Sequence, residues 1–228
     1  MTEKELLILR DQASQQRDFF QVSDSFVSQM VYNSLSFEHG IGTKEQVEKI
    51  IQGDTTNCDP KYCTLVLNVK NALFFVLNLA KENKELTEDT LKDIHQLLMK
   101  DLGLGGLYRN VDISIKGSNH TPCSHIKVYD RMKKYFDTLK ERELNLETIA
   151  YSHLQLAKIH PFLDGNGRCA RLVMNYYLLK AGYAPVTIPY DMKDEYFACL
   201  ESFKVDKDIQ PFVQFLTKLE ASALQSLF

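Results

Sequence analysis

Between residues 160 and 171 the chain reads HPFLDGNGRCAR, which sets an imidazole, a carboxylate, a Gly-Asn-Gly turn and two arginines within one short stretch. A neutral histidine takes a proton from a hydroxyl as that oxygen attacks phosphorus, and His160 is placed for such work. The glycines of 165–167 permit conformations that aim successive backbone N–H groups at a single anion. Asp164 is a hard oxygen ligand, suited to a Mg²⁺ ion that bridges phosphates. Arg168 and Arg171, three apart, project from one helix face toward the same anion. The chemistry that these types share is the handling of a polyphosphate.

Two helices must position this stretch. Leu172, Val173, Tyr176 and Leu179 recur at helical spacing from about residue 168, with Gly182 as the C-terminal cap. The glycine turn therefore lies at a helix N-terminus, where unpaired amides and the positive end of the dipole favour negative charge. Leu146, Ile149, Ala150, His153 and Leu156 mark the preceding helix, capped by Asn145 and stopped by Pro161. His160 falls at its C-terminus, which favours imidazolium, whereas burial beside Phe162 favours the neutral ring. Spacing alone leaves that balance open.

Residues His160, Pro161, Phe162, Asp164, Gly165, Asn166, Gly167, Arg168 and Arg171 resemble, at every defining position, the motif H-P-F-x-[D/E]-G-N-G-R-x-x-R of the Fic domain family. The resemblance implies an all-α helical bundle with a β-hairpin flap over the active site. It implies transfer of AMP from ATP to a Ser, Thr or Tyr hydroxyl of a protein, with magnesium assistance and release of pyrophosphate. By the same resemblance His160 is the general base and Asp164 the magnesium ligand. Gly165, Asn166, Gly167 and Arg168 hold the α- and β-phosphates, and Arg171 reaches the γ-phosphate. Gly167 followed by Arg168 argues against the phosphotransferase relatives, whose loop carries lysine at the second glycine.

The segment GGLYRNVDISIKGSNHTPC at 105–123 looks like the Fic flap. Val111, Ile113 and Ile115 alternate with Asp112, Ser114 and Lys116, which predicts a strand ending in a turn at 117–119. In the family the flap docks the protein substrate by strand addition. Gly117, Ser118, Asn119 and His120 would border the nucleotide there. Upstream, SLSFEHG at 34–40 is similar to the inhibitory motif [S/T]-x-x-x-E-[G/N], with His39 in place of glycine or asparagine. Phe26, Met30, Ser34 and Glu38 fall four apart along one helix edge that Asp24 caps. The resemblance implies that Glu38 pairs with Arg171 and restrains ATP, and it keeps AMP removal open as a second activity. Tyr196 and Phe197 match the aromatic wall of the adenine pocket, and an apolar helix face would place them in the core just as well.

The remaining sequence fits this frame. A chain of 228 residues with 44% hydrophobic content buries a good core. The expected organisation is an N-terminal helical region at 1–85 including the inhibitory-like helix 23–38, a Fic core at 86–216, and the end of a C-terminal helix at 217–228. Helices are predicted to about residue 20, then at 23–37, 44–52, 62–83, 87–102, 127–142, 193–203 and 209–224. The charged N-terminus lacks the apolar run of a signal peptide, and no membrane span is expected, so the cytoplasm is the default location. Five cysteines at irregular spacing read as reduced thiols, and Cys58 and Cys63 lack the spacing of a zinc site. A net charge of −3 makes no case for nucleic acid. The expected partner is a protein substrate docked along the flap, the chain itself included as a substrate. Oligomeric state stays open, as does a nucleotide-sensing module with little turnover.

Overall fold

Side-chain caps set where most of the helices begin. Thr2, Ser23, Thr43, Asp59 and Thr87 each accept a hydrogen bond from the backbone N–H three residues on. They open α1 (Glu3–Gln16), α2 (Asp24–Ser36), α3 (Lys44–Ile51), α4 (Pro60–Lys81) and α5 (Glu88–Met99). Helix α6 (Val128–Glu141) continues from a 3₁₀ turn, and Asn145 caps α7 (Leu146–Ile159) as expected. Then follow α8 (Asn166–Lys180), α9 (Lys193–Asp206) and α10 (Gln210–Gln225). This computed structural model describes residues 2–38 and 42–228, and no strand occurs among the described residues. His39, the departure from the inhibitory motif, lies outside them.

Helix α8 is buried almost all round, its polar Asn166, Arg168, Arg171 and Asn175 included, and lies in the centre. Its Cys169, Leu172, Val173 and Tyr176 join a core built from α2 to α6, while Met174 and Leu178 join a second core made with α1, α9 and α10. Helix α7 divides in the same way, sending Leu156 and Ile159 to the first core and Ile149 and Leu154 to the second. The α7–α8 pair is therefore a spine clamped from two sides, and the motif stretch is the corner that joins its two members. Helix α4 is long and apolar enough to cross a membrane by composition, and here it packs against α5 and α8.

Two expectations need correction. Asp24 is the first residue of α2, and Ser23 caps it, because the Ser23 hydroxyl reaches the Phe26 N–H. The predicted strand at 111–116 does not form among the described residues. A strand needs a neighbour to ladder with, and the only backbone bond closing this stretch is the turn from Ser118 N–H to Ile115 C=O at 3.2 Å, with Gly117 at φ +78°. The flap is thus an extended, unladdered segment.

Leu73 in α4 is wholly buried in the first core. Leu73→Ala is expected to cost about 2–5 kcal/mol, read as a lower midpoint in urea with an unchanged slope.

Candidate active site

The corner between α7 and α8 starts at His160, which adopts the left-handed conformation at φ +53° and ψ +61°. Pro161 disfavours a right-handed helical residue before it, so the chain turns out of α7 here. Phe162 is buried and stacks on His95 with centroids 3.7 Å apart. The Asn166 amide closes the loop, accepting from Phe162 N–H at 2.8 Å and donating to Phe162 C=O at 2.9 Å. Gly165 at φ +72° then launches α8. Of the two turn glycines only Gly165 needs its backbone freedom. A Cβ at Gly167 would lie 2.8 Å from a Glu38 carboxylate oxygen, so a larger residue there would displace that carboxylate.

Two residues that sequence reasoning missed hold this corner. Buried Arg109 donates from Nε to His160 C=O at 2.9 Å and from its backbone to Pro161 C=O at 2.8 Å. Its other nitrogens reach Val111 C=O at 3.0 Å and the Cys123 carbonyl, so one guanidinium ties both ends of the flap to the loop. Buried His95 accepts from Gly106 N–H at 2.9 Å through Nδ1, which leaves Nε2 as the donor to Asp164 C=O at 2.9 Å. Neither belongs to a periodic pattern or a local motif, and each acts on carbonyls far along the chain.

A cavity of about 340 Å³ opens above the corner, lined by His160, Asp164, Gly165, Asn166, Gly167 and Arg171 among others. Nδ1 of His160 donates to Ala157 C=O at 3.3 Å, so the lone pair is on Nε2. Burial holds the His160 imidazole down at about 4, which decides the balance left open by the sequence in favour of the neutral ring. The Asp164 side chain is 57% exposed, with one oxygen accepting from Gly165 N–H at 2.6 Å and the other 3.4 Å from Arg168 Nη2. No cluster of three or more metal-ligating side chains exists among the described residues. A single accessible carboxylate beside an anion-binding turn fits Mg²⁺ shared with phosphate oxygens and water, which is how that ion is usually held.

Glu38 reaches into this cavity from the end of α2. One oxygen accepts from the Arg168 backbone N–H at 3.0 Å and from Arg171 Nη2 at 3.2 Å, and the other from Arg168 Nε at 2.5 Å. Ser34 accepts from the same Arg171 guanidinium, through its carbonyl at 2.9 Å and its hydroxyl at 3.2 Å. The carboxylate thus sits at the N-terminus of α8, against the amides and cations that the sequence assigns to phosphate. The sequence expected Arg171 as its partner, and the structure adds Arg168 at closer range. The Arg168 side chain is 0% exposed and lies beneath the loop beside Met99, so it acts from behind the turn rather than from the cavity wall.

The other predicted residues divide. Gly117 and Ser118 line the cavity, and Glu201 on α9 holds them there by accepting from the Ser118 hydroxyl and, at 3.0 Å, from Asn119 N–H. Asn119 and His120 do not line it. His120 turns to the Lys158 carbonyl at 3.1 Å, on the far side of α7. Tyr196 borders the cavity but is buried, its hydroxyl bonded to His153 Nε2 at 2.9 Å and its ring edged by Phe37 at 5.2 Å. Phe197, 44% exposed, is the aromatic face open to a ligand on that wall. Lys204, also missed, contributes a nearly buried ammonium to the same wall.

An all-helical scaffold brings a neutral histidine, an accessible carboxylate and an arginine-backed helix N-terminus to one cavity, an arrangement suited to binding a phosphate ester. Residues 85–178 match the Fic/DOC family, so the chain carries a Fic/DOC domain over that stretch. It is 30% identical over 201 residues to "Protein adenylyltransferase Fic" of Nematostella vectensis, covering 83% of this chain and 46% of that protein. The protein of the same name in Drosophila grimshawi is 36% identical over 138 residues, covering 57% of this chain and 28% of that protein. The chain therefore spans less than half the length of these relatives. A solved Fic domain containing signaling protein from Bacteroides thetaiotaomicron shares the fold at a TM-score of 0.85 and 22% identity, covering 98% of this chain and 94% of that one.

Burial holds three histidines neutral, with His95 and His160 down at about 4 and His153 at about 3. Unfolded, each binds its proton near pH ~6.5, so the unfolded chain takes up more protons below that pH. Stability should be complete above about pH 6.5 and fall steadily toward pH 4. Thermal melts across that window check it, and His153→Gln should flatten the slope.

Proposed function

We propose that the chain transfers AMP from ATP to a hydroxyl of a protein. The observation that carries this is the convergence of His160, Asp164 and the α8 N-terminus on one cavity, and the names of the relatives agree with it. In the proposed step, Nε2 of His160 takes the proton as the acceptor oxygen bonds to the α-phosphorus. The bond from that phosphorus to the bridging oxygen breaks, and pyrophosphate leaves. The amides at 165–168 and Arg171 offset the phosphate charge, so most of the acceleration is positioning and electrostatics. Asp164 would hold Mg²⁺, which when bound neutralises phosphate charge. Phe197 forms the open wall for the base. The unladdered flap offers its main-chain groups to an extended segment of the protein substrate by strand addition. Five free thiols suit a reducing compartment, which supports the cytoplasm as the location.

Glu38 restrains this activity by holding the place of an anion, and its position in the cavity also supports a second activity in which it activates water to remove AMP. Incubation with magnesium and ATP labelled at the α- or the γ-phosphate tests the proposal. Protein-bound label is expected from α-labelled ATP alone, reduced by about 10²–10⁴ in His160→Ala and raised about ten- to hundredfold in Glu38→Gly. Retention of γ-label, or equal labelling by His160→Ala, would overturn it in favour of phosphotransfer or of a nucleotide-binding module.

A further inference from the structure

Behind the flap lies a second hollow, of about 640 Å³, that the proposed transfer does not use. Its charged rim is Arg131 from α6, Arg142 at the end of α6, Lys158 from α7 and Lys207 at the end of α9, with Glu147 as the one acid, and His120, its pKa lowered by burial, adds a neutral imidazole. This is a local excess of cations on a chain whose net charge is −3. Arg131, Arg142, Lys158 and Lys207 form no ion pair among the described residues. The Lys158 ammonium donates to the Lys204 carbonyl at 2.9 Å at the C-terminus of α9, and the charges pressing on it are Lys207 and Lys204. The floor is aromatic. The Arg142 guanidinium lies 4.1 Å from the centre of the Tyr151 ring and the Lys158 ammonium 5.3 Å from that of Phe203, so the apolar stems and faces hold the cations at the rim.

The hollow is continuous with the flap. Gly117 and Ser118 border the catalytic cavity, whereas His120 and Thr121, two and three residues beyond Ser118, border the hollow. On α9, Lys204 faces the first and its neighbour Phe203 the second. An extended chain docked on the flap with its hydroxyl at His160 would run on over this rim. We propose that the hollow seats an acidic segment of the protein substrate, flanking the modified hydroxyl, and so selects targets by charge. This rests on the flap as the docking strand.

The test reads binding apart from catalysis. Fluorescein-labelled peptides carrying one threonine flanked on either side by a run of glutamates, with glutamine-matched controls, are titrated against His160→Ala protein without ATP, by anisotropy. The glutamate peptide is expected to bind several-fold more tightly, with the preference shrinking as salt rises. It should vanish in the Arg131→Glu/Lys207→Glu variant, both exposed positions whose reversal leaves the melting temperature in place. Equal affinity for the two peptides would overturn the proposal, as would a preference that survives the reversal. Equal capture of a single-stranded oligonucleotide would overturn it too, in favour of a surface for polyanions in general. Wild-type protein given α-labelled ATP separates the two readings: a binding preference without labelling sinks the transfer reaction and leaves the hollow, and labelling without a preference does the reverse.

Discussion

The structure is organised around a positive charge that has to be answered. The N-terminus of α8 presents backbone amides at the floor of the cavity, and two arginines from its first turns stand behind them, one with no exposure and the other nearly buried. Charge placed so deep is costly unless it is paired. In this structure the pairing comes from within, through a carboxylate that α2 delivers from more than a hundred residues upstream. The position of α2, the small residue at 167 and the burial of Arg168 follow from that requirement. A phosphate ester is another anion of suitable size and charge, and under the proposed function it would compete with this carboxylate for one place.

The same corner settles the state of the base. A histidine at a helix C-terminus is drawn toward the charged form, and burial draws it the other way. At His160 desolvation is the largest cause, with the Ala157 carbonyl opposing it. The geometry that achieves this is a left-handed residue before proline, a conformation that costs of order 1–3 kcal/mol when adopted by a side chain other than glycine. Arg109 holds it by taking the carbonyls on both sides of that peptide link. Because the same guanidinium also reaches Val111 and Cys123, it ties the 160–161 turn to the 111–123 segment. The strained turn at His160 and the 111–123 segment therefore share one support.

Much of this was legible in the sequence, and the reasons for the rest are physical. The helices could be read because apolar periodicity and caps are local properties, and α7, with Asn145 before it and Pro161 after it, shows both. The motif stretch could be read because its residue types leave few other uses. Arg109 and His95 escaped because their partners are carbonyls of distant residues, which leave no pattern. Arg168 was placed on the cavity wall by spacing, but spacing gives a face and not a depth, and its guanidinium lies under the loop. Asn119, His120 and Tyr196 were assigned by likeness to neighbours in a motif. Each is turned by a specific bond: His120 to Lys158, Asn119 to Glu201, Tyr196 to His153. The strand at 111–116 had the right alternation and no partner to pair with.

Under the proposed function, Glu38 and a phosphate compete for one place. The most direct test of this is the dissociation constant of ATP with magnesium, measured by calorimetry for the wild-type protein and for Glu38→Gln, which keeps the size of the side chain and removes its charge. Binding at least about tenfold tighter is expected in the variant, the equivalent of losing one charge-assisted contact. Equal affinity in the two proteins would contradict it, and would mean that Glu38 and the nucleotide occupy separate places.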